Sequence, residues 1–201
     1  MGKKNITSRD RQAQETKKRI FNVASQLMIN KGFDNVTLEE ISKKAGIAKG
    51  LFYHYYKSKA DLIVETYSII DGNFEKDLVG LDVNTSPIYK IFFTVFTMAR
   101  YAKGFGIDFV RQIYKGQLDT GTNFFVNKQR LFEKSIHDAI VTGQEQDIIR
   151  KDISPGELAH FIMIVARGVL YDWCLHKGKY NIEKTMEKYF RKIIFPKISF
   201  K

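Results

Sequence analysis

Residues 37–59, TLEEISKKAGIAKGLFYHYYKSK, constrain the fold more than any other stretch. They read as a helix, a tight turn, a second helix and the start of a third. Thr37 suits an N-cap, Glu40 three residues on completes a capping box, and Val36 and Ile41 form a hydrophobic staple. Leu38, Ile41 and Ala45 recur at helical spacing. Gly46 ends that helix, where a left-handed backbone favours glycine. Ile47 fills the angle between the helices, and a second short helix covers 48–55. On that helix Phe52 and Tyr56 share one side, Gly50 and His54 the other, and Lys49, Leu51 and Tyr53 the flanks. Ser58 then caps a third helix, with Asp61 at its N3 position.

Two helices joined by a short glycine-containing turn can place the second in a DNA major groove. They can equally make an ordinary corner between packed helices. The outer face separates the two readings, because a buried corner has no use for a cation, a close-approach point, a phenol and an imidazole. Charge points the same way. The chain carries a net +11, and residues 1–62 hold 13 Lys/Arg against 6 Asp/Glu. A basic excess gathered in under a third of the chain is the electrostatic footprint of a nucleic-acid-binding part, against the alternative of a merely solvated basic face.

AGIAKGLFYHYYKSKADL closely resembles the DNA-binding signature of TetR-family transcriptional regulators. The matching residues are Gly46, Gly50, Phe52, Tyr53, Tyr56, Lys59 and Leu62, behind Thr37 and Ile41, and the resemblance covers 16–62. It implies an N-terminal DNA-binding domain over 1–58, with the helix-turn-helix at 37–56, and an effector-binding and dimerisation domain over 59–201. Two positions depart from the pattern. Ala48 stands where a hydroxyl residue commonly caps the recognition helix, and Leu51 where a small hydroxyl residue is common. Leu51 is thereby suited to a thymine methyl rather than to a hydrogen bond. On this reading Thr37, Tyr53 and Lys59 hold phosphates, while Lys49, Gly50, Leu51, His54 and Tyr55 face bases or the sugar edge.

The rest of the chain reads as all-α, with about nine helices and no alternating strand pattern. A first helix over 12–31 carries the stripe Ile20, Ala24, Leu27 and Met28. The helix opened by Ser58 extends to 79. Ser86-Pro87 starts another, to 103; a short helix covers 107–115, a glycine-rich linker 116–121, and a further helix 123–143. Ser154-Pro155-Gly156-Glu157 opens a helix to 176, and Asn181 caps a last one that ends before Pro196. The helix after Ser154 is apolar most of the way round, so it is either central in a monomer or paired with another chain. The family resemblance implies pairing, through Phe161, Val165, Gly168 and Val169 of a homodimer. It also implies an effector pocket among the aromatics Tyr67, Phe74, Phe92, Phe96, Phe109, Phe125 and Phe132, which read from residues alone are equally plain core.

No apolar run approaches the ~20 residues of a membrane span, and residues 1–10 are basic without the apolar core of a secretory signal. Cys174, the lone cysteine, fits a reducing cytoplasm. His54, His137, His160 and His176 show no metal-ligand spacing, and no cofactor motif or nucleophile elbow is present. The expectation is a ligand-responsive transcriptional regulator, a repressor that binds a palindromic duplex operator as a homodimer and is released by a small molecule. The alternatives are a helical protein-interaction adaptor that no longer reads DNA sequence, and a small helical enzyme.

Overall fold

The computed structural model describes residues 7–120 and 130–199. It divides into two compact units at Tyr67/Ser68, within a helix that spans Lys59–Val79. The N-terminal unit holds α1 (Ser8–Lys31), α2 (Leu38–Ala45), α3 (Lys49–Tyr55) and the first turns of α4 (Lys59–Val79). The sequence places the boundary nine residues earlier, at 58/59. The first turns of α4 belong with the N-terminal unit because Leu62 and Thr66 are buried and Glu65 pairs with Lys17 of α1 at 3.0 Å.

Helix α1 begins four residues before its expected start. Thr7 accepts from the Asp10 N–H at 3.2 Å while the Asp10 carboxylate accepts from the Thr7 N–H at 3.0 Å, a reciprocal capping box. Ile20, Phe21, Ala24, Leu27 and Met28 are its buried stripe, and Val36, Ile41, Ala45, Phe52, Tyr56 and Leu62 complete the core of this unit.

The C-terminal unit holds the rest of α4 with α5 (Pro87–Phe105), α6 (Ile107–Thr120), α7 (Leu131–Glu145), α8 (Pro155–Leu175), α9 (Ile182–Tyr189), a π-helical turn (Phe190–Ile194) and α10 (Phe195–Ile198). Ser86 caps α5 ahead of Pro87, Ser154 and Glu157 form a complete capping box on α8, and Asn181 caps α9. Helix α6 runs through Gly116, where the sequence suggests a linker. Buried Phe109, Val110 and Ile113 hold one face of it, and that burial outweighs the ~1 kcal/mol that a glycine costs a helix. The last helix likewise continues past Pro196. A proline clashes with the carbonyl four residues back. The turn before it is widened, with the Phe195 N–H reaching Phe190 O, and the chain passes the proline without a break.

Among the described residues there is no strand beyond an isolated antiparallel bridge of Ile149 with Ser199. By length and a mean hydropathy of 1.4, helix α8 is apolar enough to cross a membrane, although Glu157, Arg167 and Asp172 interrupt it and no unbroken apolar run approaches that length. Its inner face accounts for much of that hydropathy: Leu158, Ile162, Met163, Ala166, Val169, Leu170 and Trp173 are all buried in the helical core.

Candidate nucleic-acid interface

Helix α2 is set by its cap. Thr37 Oγ accepts from the Glu40 N–H at 3.1 Å, leaving the hydroxyl proton free to donate outward. Glu40 does not close the expected capping box. Its carboxylate instead meets Lys31 at the end of α1. Val36 and Ile41 are both fully buried, as the staple requires. Gly46 turns the chain at φ +65°, and the Ile47 N–H returns to Ser42 O at 3.0 Å. Ala48 begins α3 with no side-chain cap.

Phe52 of α3 is wholly buried, edge-on to Tyr53 and tilted against Tyr56, and so anchors the helix. Burial raises the Tyr56 phenol well above its usual range, so it stays neutral in the core. With Phe52 and Tyr56 inward, Lys49, Gly50, Leu51, Tyr53 and His54 are exposed together, and Tyr55, half-buried, lies edge-on to the His54 ring. Leu51 at 39% and Tyr53 at 49% exposure are large apolar groups left in water, whereas Phe21, Phe52 and Tyr56 of the same unit are buried. The Lys49 ammonium is bonded to the Glu39 carboxylate, which ties the start of α3 to α2 on this outer face and holds the Glu39 carboxyl below its usual range. Both partners are exposed, so a phosphate or base edge can compete for Lys49.

Lys59 is placed differently from its assignment as a phosphate contact. Its ammonium donates to Phe33 O at 2.9 Å and Val36 O at 2.7 Å and lies 4.6 Å from the centre of the Phe33 ring. It therefore ties α4 to the turn that precedes α2. Lys57, two residues earlier, is exposed and forms no ion pair among the described residues, and is the better placed cation. Lys59→Ala should lower the stability of the N-terminal unit by about 1–3 kcal/mol, by leaving the Val36 carbonyl unmet and the Phe33 carbonyl with only the Val36 N–H. The slope of DNA affinity against salt should stay unchanged, whereas a slope reduced by about one would show a phosphate contact.

In the C-terminal unit the aromatics expected to line a pocket are mostly packed on one another. Phe74 and Phe132 stack face to face at 3.9 Å. Phe92 lies 5.4 Å from Phe96 and carries the Arg191 guanidinium at 4.1 Å, and Phe109 stacks on Phe105 at 5.0 Å. Phe74, Phe92, Phe109 and Phe132 are buried and Phe96 is half-buried. A cleft of about 470 Å3 in this unit is lined by none of them. The Tyr67 side chain and Phe125 lie outside the described residues.

On α8, Phe161 and Gly168 are exposed and Val165 is half-buried, but Val169 is a correction: it belongs to the core, in register with Ile162, Ala166 and Trp173. The outer stripe is instead completed by Ile164, Tyr171 and Leu175, all exposed. Their spacing of three and four residues from Phe161 and Gly168 is the signal that identifies them in the sequence.

Residues 20–66 match the family of bacterial regulatory proteins, tetR family. Over 62 residues the chain is 37% identical to the HTH-type transcriptional regulator AcrR of Shigella flexneri, which covers 31% of this chain and 29% of that one. The match thus spans under a third of that regulator's length. A TetR transcriptional regulator from Chloroflexus aurantiacus shares the fold over 95% of this chain and 100% of its own, with a TM-score of 0.68 at 18% identity. FadR from Bacillus subtilis, solved in complex with stearoyl-CoA, does so over 87% and 95%, with a TM-score of 0.55 at 14% identity. At these identities the structural likeness is one of fold. The sequence relatives are named as transcriptional regulators and not as enzymes, and residues 20–66 carry the helix-turn-helix unit of the TetR family.

Proposed function

We propose that the protein is a cytoplasmic, homodimeric repressor that binds a palindromic duplex operator and is released by a small-molecule effector held in residues 68–201. The observation that carries the reading is the outer face of α3, where Lys49, Gly50, Leu51, Tyr53 and His54 stand exposed around a helix pinned by buried Phe52. The apolar stripe on α8 supports the two-fold arrangement, in which paired chains present two recognition helices to half-sites about one turn, ~34–36 Å, apart. Thr37 and Tyr53 hold phosphates, joined by Lys57 in place of Lys59. Lys49, Gly50, Leu51, His54 and Tyr55 face the bases or the sugar edge. Repression requires no more of the protein than to occupy a site that polymerase needs.

An effector acts only through its different affinity for the free and the DNA-competent forms. A coupling of ~1–3 kcal/mol, about 5–150-fold in operator affinity, is the ordinary range, and operator must weaken the effector by the same factor.

Gly50 supplies the test. A Cβ built at this position has no neighbour within 4 Å, so nothing inside the chain demands glycine there. Gly50→Ala should leave the fold intact or stabilise α3 by up to about 1 kcal/mol. If DNA approaches the Cα closely, the same methyl should cost operator affinity on the order of tenfold, or ~1.4 kcal/mol. Lys49→Ala, in the same duplex-selection assay, should relax preference at one base pair per half-site rather than weaken all sequences alike. Unchanged operator affinity for Gly50→Ala together with unchanged base preference for Lys49→Ala would remove α3 as the reading helix.

A further inference from the structure

The cleft in the C-terminal unit has a chemistry of its own. It lies among the end of α4 and the loop after it (Leu78, Leu81, Asp82, Val83), the first turns of α5 (Lys90) and α7 (Leu131, Lys134, Ser135, Asp138, Ala139, Thr142). A volume of about 470 Å3 is within the range of small-ligand sites, ~300–1,000 Å3. Leu78, Leu81, Val83, Leu131 and Ala139 make its apolar wall. Val83 on that wall is 90% exposed, so it offers a ligand apolar surface that the fold does not cover.

The polar groups are almost all spoken for. Lys134 and Asp138 are paired at 2.6 Å. Thr142 donates to Asp138 O at 3.0 Å, and the Ser135 hydroxyl bonds that of Thr94 at 3.2 Å. Asp82 accepts from the Asn84 N–H at 2.7 Å, closing its own turn. The remaining charge is Lys90. It is half-buried, and among the described residues its ammonium has neither an ion pair nor a hydrogen bond. A half-buried ammonium against apolar side chains gains more from an anion than an exposed lysine does, because less water competes for it.

We infer that this cleft is a binding site for compact amphipathic carboxylates, with the carboxylate on Lys90 and the apolar body against Leu78, Leu81, Val83 and Leu131. The site favours anions because Asp138 is paired with Lys134 and Asp82 is exposed and turned to its own loop, while the Lys90 ammonium is half-buried with no counter-charge among the described residues. Its regulatory consequence rests on the reading of residues 68–201 as the effector-binding part; the binding itself does not.

The test uses the full chain and three probes of one shape: 2-naphthoate, the uncharged 2-naphthamide and the cationic 2-naphthylmethylammonium, titrated by calorimetry. The wild type should bind 2-naphthoate at least tenfold more tightly than the other two. Lys90→Glu should invert that order and favour the ammonium, a gain that a misfolded variant could not show. Absence of saturable naphthoate binding with a Kd below about 1 mM would overturn the site, as would equal binding of acid and amide, or an order unchanged in Lys90→Glu. Operator titrations with and without bound 2-naphthoate address the other reading separately. An operator affinity that does not move would leave the carboxylate site standing and remove it as the effector switch.

Discussion

Phe52→Ala should unfold the N-terminal unit and abolish DNA binding while the C-terminal unit stays folded. Phe52 is wholly buried, packed edge-on to Tyr53 and against Tyr56, and it is the only residue of α3 proper that is buried. Truncating a buried phenylalanine costs about 3–5 kcal/mol. A unit that ends at Tyr67 is near the size at which a single core is only marginally stable, so this cost removes most of what holds it. The C-terminal unit has a separate cluster around Phe74, Ile91, Val95, Ile136, Ile140 and Ile162. The chain carries its own reporter of this difference. Its one tryptophan, Trp173, is buried in that second cluster with its indole N–H on Tyr180 O at 3.0 Å. Helical circular dichroism should therefore fall in Phe52→Ala at a temperature where tryptophan emission is unchanged. If both signals were lost in one transition, the two units would not be independent folding units.

What could be read in the sequence follows from how local each interaction is. The caps at Thr37, Ser86, Ser154 and Asn181 are settled within four residues, and each is present. The inward side of α3 was equally legible, because helical spacing alone puts Phe52 and Tyr56 together. Lys59 was not. Spacing gives the face a long side chain leaves from, but its ammonium reaches carbonyls 23 and 26 residues away. Glu40 failed for the same reason, since a lysine from α1 competes for its carboxylate. Gly116 signals a break in isolation, and only the burial of Phe109, Val110 and Ile113 shows why α6 continues. The aromatic residues mark the limit from the other side. A phenylalanine that lines a pocket and one that stacks in a core, as Phe74 does on Phe132, are the same residue at the same helical spacing. The 470 Å3 cleft could not be seen because it is formed by aliphatic and charged residues from three helices and a loop.

Gly168→Leu should weaken dimerisation and operator binding together while leaving the isolated chain as stable as before, or more so. Phe161, Ile164, Gly168, Tyr171 and Leu175 follow one another at intervals of three, four, three and four residues along α8, the spacing of a seam between two helices. The four large members are 47%, 51%, 49% and 62% exposed, which is far more apolar surface than the inner face of the same helix leaves uncovered. Gly168 sits at the middle of this stripe, where a small residue lets a second helix come close. Within the chain it is unconstrained: an added Cβ meets nothing within 4 Å. A leucine there improves helix propensity by roughly 0.8 kcal/mol over glycine, so the monomer loses nothing. Between two chains the same side chain is inserted into a close approach, at about 1–3 kcal/mol for overpacking, and two-fold symmetry imposes that cost from both copies. The dimer constant should fall by at least tenfold, ~1.4 kcal/mol. Operator affinity should fall with it, because a single recognition helix holds only one half-site. Sedimentation velocity across a concentration series measures the first effect, and duplex titration the second. A Gly168→Leu chain that dimerises and binds operator as the wild type does would place the seam elsewhere than on this stripe, and a wild type that sediments as a monomer at every concentration would leave α8 with some other partner.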